Sequence, residues 1–284
     1  MLLAYLALTA RIFLLGYEKI LVKKMGEGSQ NAAATFLYFL ASTVFILPLI
    51  VFSRPVENLT SVSFVAVSSF IYCIAFLFYV KSISIGEVSL VSPLYNFNAL
   101  FLLVLTAVFL DEKITILKLI GILVLLYGAS YLNRRQGVIT SLKAIFADRA
   151  CFYMLACSFL MAIGRTIDGF FIRQFDPLMY AILIYSFMSL LLLVNVLRNK
   201  QLKSTYDLFN SRKSVTLTAG AVNAYTYLLL LYAITKIDVS VAEPASMLSM
   251  VVTVVLSHFM LKENIKGRLT GVLIIIIGAW ALFI

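Results

Sequence analysis

The chain has 284 residues, of which 62% are hydrophobic and 13% charged, with a mean hydropathy of +1.02. That apolar content exceeds what a soluble core of this size can hide, so a water-soluble enzyme or a nucleic-acid binder is excluded despite a formal net charge of +10. What remains is an all-α integral membrane protein.

Apolar stretches close to or above the roughly 18 to 20 residues that cross a bilayer follow one another along the chain. Ten are predicted: Leu2–Val22, Ala32–Phe52, Ser61–Val80, Val88–Leu110, Ile114–Leu132, Cys151–Ile172, Leu178–Leu197, Val215–Ile234, Val239–Leu261 and Leu269–Ile284. Five fall in residues 1–133 and five in residues 151–284, with a basic linker, 134–150, between them. The first stretch lacks a basic leader and a small-residue cleavage site, so it reads as a membrane helix.

The two sets are copies of one unit. Glu87-Val88-Ser89 with Pro93 returns as Asp238-Val239-Ser240 with Pro244, 151 positions later, and Glu112 answers Glu263 in the same register. At an offset of 150, Gly121 and Gly128 answer Gly271 and Gly278, and Glu18 answers Asp168. Five is odd, so the second copy must enter the membrane from the opposite face. Such an inverted duplication places two five-helix repeats around a central cavity and lets them exchange conformations, opening that cavity to each side in turn.

The first segment carries Arg11, Glu18 and Lys19, and the sixth carries Arg165 and Asp168. At the centre of a lone helix each such charge costs about 2.5 to 3.5 kcal/mol, so these side chains are expected to face protein or water. The three-residue spacing of Arg165 and Asp168 permits a mutual ion pair, and Arg165 alternatively snorkels to the nearer interface. Helix-breaking prolines, Pro93 and Pro244, sit early in the fourth and ninth segments, where each frees a carbonyl and bends the helix. Ser92 and Asn96 lie beside the first, and Glu243, at the repeat position of Ser92, lies beside the second. The halves are therefore chemically unequal at the break, as a substrate site requires; a plain helix-capping role for Glu243 stays open. The third and eighth segments add Tyr72 and its repeat equivalent Asn223, with Tyr227 one turn on, either for substrate contact or for packing.

These considerations give substrate-binding candidates Arg165, Asp168, Glu243, Asn96, Ser92, Tyr72, Asn223 and Tyr227, and proton-coupling candidates Glu18, Asp168 and Glu243. No metal or cofactor is implied: Cys73, Cys151 and Cys157 show no CxxC spacing and His258 is the single histidine. A catalytic Gly-x-Ser-x-Gly and a phosphate-binding Gly-x-x-x-x-Gly-Lys-Ser/Thr are both missing, which argues against an enzyme and against ATP drive within this chain. Fifteen basic residues fall in loops after the odd-numbered segments and five on the opposite side. By the positive-inside rule this places the termini outside the cytoplasm, and the Val138 to Phe146 stretch would lie as an interfacial helix on the cytoplasmic leaflet.

The duplicated Val-Ser-x-x-x-Pro string, followed by the acidic turns Leu110-Asp111-Glu112-Lys113 and Leu261-Lys262-Glu263-Asn264 and then by a glycine-bearing helix, resembles the EamA-like branch of the drug/metabolite transporter superfamily. The resemblance covers essentially the whole chain. It implies a cavity lined by helices 1, 3, 4, 6, 8 and 9 and transport of a small metabolite, often by export or exchange. It also implies cytoplasmic termini, against the loop charges, so orientation stays open. A further departure is visible, since both turns lack the glycine usual in the family. The resulting expectation is a monomeric multi-pass transporter of the cell membrane that moves a small polar or zwitterionic metabolite, an amino acid among the candidates, with protons as a coupling ion. The alternative is a flippase for a lipid-linked substrate, or a membrane scaffold, on the same fold.

Overall fold

A computed structural model describes residues 1–26, 31–56, 59–85, 94–132, 148–172, 175–261 and 269–283. Among them every regular element is helical. In chain order these are α1 (Leu2–Gly26), α2 (Asn31–Ile46), α3 (Leu59–Ile85), α4 (Asn98–Phe109), α5 (Ile116–Leu132), α6 (Arg149–Phe171), α7 (Pro177–Arg198), α8 (Leu202–Ser211), α9 (Lys213–Ile234), α10 (Val239–Ala245), α11 (Ser249–Leu261) and α12 (Leu269–Ala281). Six stretches are long and apolar enough to span a bilayer, and Asn98–Phe109, Ile116–Ala129 and Thr270–Ala281 are shorter apolar helices. This is a multi-pass membrane fold. The Val138 to Phe146 stretch, Ser92, Pro93 and Glu263 lie outside the described residues.

Local sequence explains where the helices stop. Pro48 enters a 3-10 turn, Leu47–Phe52, that ends the second segment, because proline cannot supply the amide a continued α-helix needs. The fourth segment is interrupted at Asn96-Phe97 and resumes as α4. The ninth is interrupted by a 3-10 turn, Ser246–Leu248, directly after Pro244. Asn96 and Phe97 are the repeat equivalents of Met247 and Leu248, so both copies of the unit break their fourth helix at the same place. Between the seventh and eighth segments the structure adds α8, a short helix the apolar periodicity does not announce, and α6 opens at Arg149, two residues ahead of the apolar run.

The chain separates into two compact units, Met1–Cys73 with Asp168–Lys236, and Ile74–Ile167 with Ile237–Ile284. Each draws on both sequence repeats, and the divisions fall inside α3 and α6. In the first unit α9 packs against α1 and α2, α2 packs against α7, and α8 lies on α2. Gly220 of α9 sits so close to Ala41 of α2 that an added Cβ would stand 2.7 Å from the Ala41 carbonyl carbon.

In the second unit the principal contact is α5 against α12. Gly121 meets Gly278, Ala281 and Leu282, Leu125 meets Gly278, and Gly128 meets Ile274 and Ile275. As one helix advances its partner recedes, so these two helices run antiparallel. They are the closing helices of the two repeats. Glycine is required here because the backbones themselves touch, as is common where helices associate in lipid without a hydrophobic driving force. A Cβ on Gly278 would lie 2.7 Å from the Leu125 nitrogen. We expect Gly278→Ala to force the helices apart, at a cost of about 1 to 3 kcal/mol typical of overpacking, read as a lower midpoint of thermal unfolding in detergent.

Candidate functional site

Asp168 is fully buried, and a carboxylate in that setting needs donors from elsewhere. Three tyrosine hydroxyls supply them. Tyr72 of α3 donates to Oδ2 at 2.6 Å, Tyr227 of α9 to the same oxygen at 3.0 Å, and Tyr180 of α7 to Oδ1 at 2.9 Å. Of these, Tyr72 and Tyr227 belong to the stripes singled out from the sequence. Tyr180 does not stand out there, because in sequence it is one more aromatic in an apolar run.

The network extends through the first unit. Tyr227 packs edge-to-face on Tyr185, with centroids 5.5 Å apart. Tyr185 donates to the Asn223 carbonyl at 2.9 Å, and the Asn223 amide donates to Ser42 Oγ at 2.8 Å. Ser42 in turn donates to the Tyr38 carbonyl at 2.9 Å, and the Tyr38 hydroxyl donates to Glu18 Oε1. Glu18 is buried, and its Oε2 has no hydrogen-bond partner among the described residues. Arg11, two turns earlier on α1, reaches the Thr226 carbonyl at 3.1 Å. The repeat-related carboxylates Glu18 and Asp168 thus both sit in the polar interior of one unit, each held by tyrosine.

Arg165, one helical turn before Asp168, has a different partner. Its Nε donates to Glu243 Oε1 at 3.2 Å, with both side chains about nine-tenths buried. Glu243 lies next to Pro244 at the helix interruption, so this pair belongs to the second unit. A cap for the start of α10 is not needed from Glu243, because Glu112 already provides one. The two Glu112 carboxylate oxygens accept the Val239 and Ser240 amides at 2.7 and 3.0 Å. Lys118 joins the same helix start, donating to Asp238 at 2.6 Å and Ser240 at 3.3 Å. Asn96 is buried at the other interruption, and nearby Asn98 keeps an Oδ1 with no donor among the described residues. In the repeat register Lys118 answers Arg268, at the offset of 150, and Asn98 answers Ser249, at the offset of 151, so both fall on positions that are polar in each copy.

The arrangement offers two kinds of chemistry. One is a carboxylate whose tyrosine partners can donate to the anion or accept from the acid. The other is a desolvated pair of opposite charges at a broken helix, a place where irregular backbone in a membrane lines a cavity or is covered by protein. Among the described residues no cluster of histidine, cysteine, aspartate and glutamate could hold a metal ion.

The sequence profile of the EamA-like transporter family matches residues 2–134 and 148–284, two consecutive copies. No curated protein matches the chain by sequence. A solved structure described only as "Crystal structure of protein" is similar in fold, with a TM-score of 0.75 at 13% identity over 98% of this chain and 95% of that one.

Removing one member of the Arg165–Glu243 pair takes an opposite charge away from the other in a largely buried setting, a change worth about 3 kcal/mol or more. Arg165→Met and Glu243→Met should each lower the unfolding midpoint in detergent, and the double variant should be less destabilised than the two singles combined. Simple additivity across this double-mutant cycle would dismiss the pairing.

Proposed function

Since the chain belongs to the EamA-like transporter family and is a multi-pass membrane transporter, we propose that it is a secondary active exporter or exchanger of a small zwitterionic metabolite, amino acids included, working in the cell membrane by alternating access. The observation that carries this reading is the antiparallel packing of α5 and α12. Equivalent helices of a duplicated chain run in opposite directions only when the copies are inversely threaded. Inverse threading is what allows one copy to take up the conformation of the other and so exchange outward for inward access. The repeats are residues 1–133 and 151–284, joined by the basic linker 134–150.

The substrate class follows from charge complementarity. Arg165 and Glu243 can part to receive a carboxylate and an ammonium group, Asn96 at one interruption adds neutral hydrogen-bonding capacity, and Ser92 is assigned to the same substrate. Asp168 is assigned the coupling proton. Its three tyrosine hydroxyls can donate to the anion or accept from the protonated acid, so the site accommodates either form, and Glu18, with an unpartnered oxygen of its own among the described residues, is the second proton site.

The test is counterflow and gradient-driven uptake of radiolabelled zwitterionic amino acids in proteoliposomes. Arg165→Met should raise KM about tenfold or more, the loss expected for one charged hydrogen bond. Asp168→Asn should preserve counterflow while abolishing accumulation driven by a pH gradient. Wild-type accumulation by the Asp168→Asn protein would refute the proton assignment, and indifference of counterflow to Arg165 would refute the substrate assignment.

A further inference from the structure

The short helix α8 has no part in either polar network, yet its composition and placement are specific. It connects α7, which ends at Arg198, to α9, which begins at Lys213, and each of those helices has 22 residues. At 1.5 Å per residue each spans about 33 Å, enough to cross the hydrocarbon core, so α8 lies at a membrane surface. Its inner side is fixed. Thr205 and Leu208 are buried, α8 packs on α2, and the Arg212 guanidinium donates to the Lys24 and Met25 carbonyls at 2.7 and 2.9 Å. Those carbonyls are acceptors that the end of α1 leaves unsatisfied, and a cation there also complements the helix dipole.

The outer side is unlike an ordinary solvated face. Leu202 and Tyr206, one turn apart and therefore neighbours on the helix surface, are 52% and 67% exposed. The segment from Arg198 to Lys213 carries four exposed cations, Arg198, Lys200, Lys203 and Lys213, against a single exposed carboxylate, Asp207. Lys200 holds a left-handed backbone, φ 54°, a conformation that glycine adopts with less strain. Its cation occupies that strained position at the mouth of α8.

We infer that α8 is an interfacial helix that binds the anionic phospholipid headgroups of the adjoining leaflet. Leu202 and Tyr206 enter the headgroup–acyl boundary, where tyrosine is favoured, while the four cations meet lipid phosphates. A free phosphate would account for the cations but not for the exposed apolar pair between them. The inference is independent of the transported solute, and it assigns this face to the anionic, cytoplasmic leaflet, in agreement with the loop charges.

The full chain in nanodiscs provides the test. Trp280 is the only tryptophan, so Tyr206→Trp on a Trp280→Phe background places one indole on the outer face of α8. In phosphatidylglycerol/phosphatidylcholine discs its emission should be blue-shifted and quenched by lipids brominated near the headgroup. Replacing Arg198, Lys200, Lys203 and Lys213 together by Gln, all at exposed positions, should cut the retention of phosphatidylglycerol over phosphatidylcholine by about tenfold or more at low ionic strength, measured by mass spectrometry of lipid retained on the purified protein. The idea fails if the indole is quenched by aqueous iodide equally in charged and zwitterionic discs, or if the Gln variant keeps the wild-type lipid preference. It fails equally if a soluble protein covers this face without dependence on anionic lipid.

Discussion

A carboxylate inside an apolar bundle has to be met by donors from other helices, and Asp168 shows what that demand organises. Its three tyrosine partners come from α3, α7 and α9, and so fix how all three helices are rotated about the end of α6 in the first unit. The same polar thread continues through Tyr185, Asn223, Ser42 and Tyr38 to Glu18. The tyrosine hydroxyls on the two carboxyl groups can donate to the anion or accept from the acid, so the packing is compatible with both protonation states, whereas Tyr185 and Ser42 donate to carbonyls and are fixed in direction.

The second unit is arranged around helix ends. The turn after α4 places Asp111 at φ 56°, the left-handed region that glycine enters without penalty and that aspartate tolerates better than most residues. That geometry explains why related transporters favour glycine there and why this chain manages with Asp. It also aims Glu112 at the Val239 and Ser240 amides, two of the donors that a helix start leaves unpaired. With Lys118 on Asp238, the acidic turn becomes a fastening between the first repeat and the interrupted helix of the second.

Much of this is legible in the chain. The 151-residue register exposes the duplication, Pro244 just precedes the interruption of the ninth segment, and the rule that intramembrane charges face protein singles out Asp168, Arg165, Glu18 and Glu243. What cannot be read is which charge meets which partner. Helical spacing suggests Arg165 with Asp168, but it cannot disclose that Glu243 meets Arg165 or that three tyrosines meet Asp168. Periodicity reports which face a side chain occupies on its own helix and nothing about what the next helix brings. Tyr38 and Tyr180 are hidden for that reason, and α8 because its apolar positions are too few to register against the spans on either side.

The two repeats share glycines in their closing helices and prolines in their fourth helices, and differ at several of their buried polar positions. Glycines recur in the closing helices and prolines in the broken ones, since contact distance and helix interruption are set by the fold and apply equally to both copies. Tyr72 answers Asn223, Glu18 answers Asp168 and Ser92 answers Glu243: each exchange changes side-chain length, hydrogen-bonding capacity or charge while keeping the position polar. An inverted pair with identical polar linings would present the same groups to a solute from either side. In the transport cycle proposed above, unequal linings on an equivalent frame would give that solute one orientation and the proton one preferred carboxylate. On that proposal the duplication supplies the motion, and the unequal polar pairs, Ser92 with Glu243 and Tyr72 with Asn223, supply the selectivity.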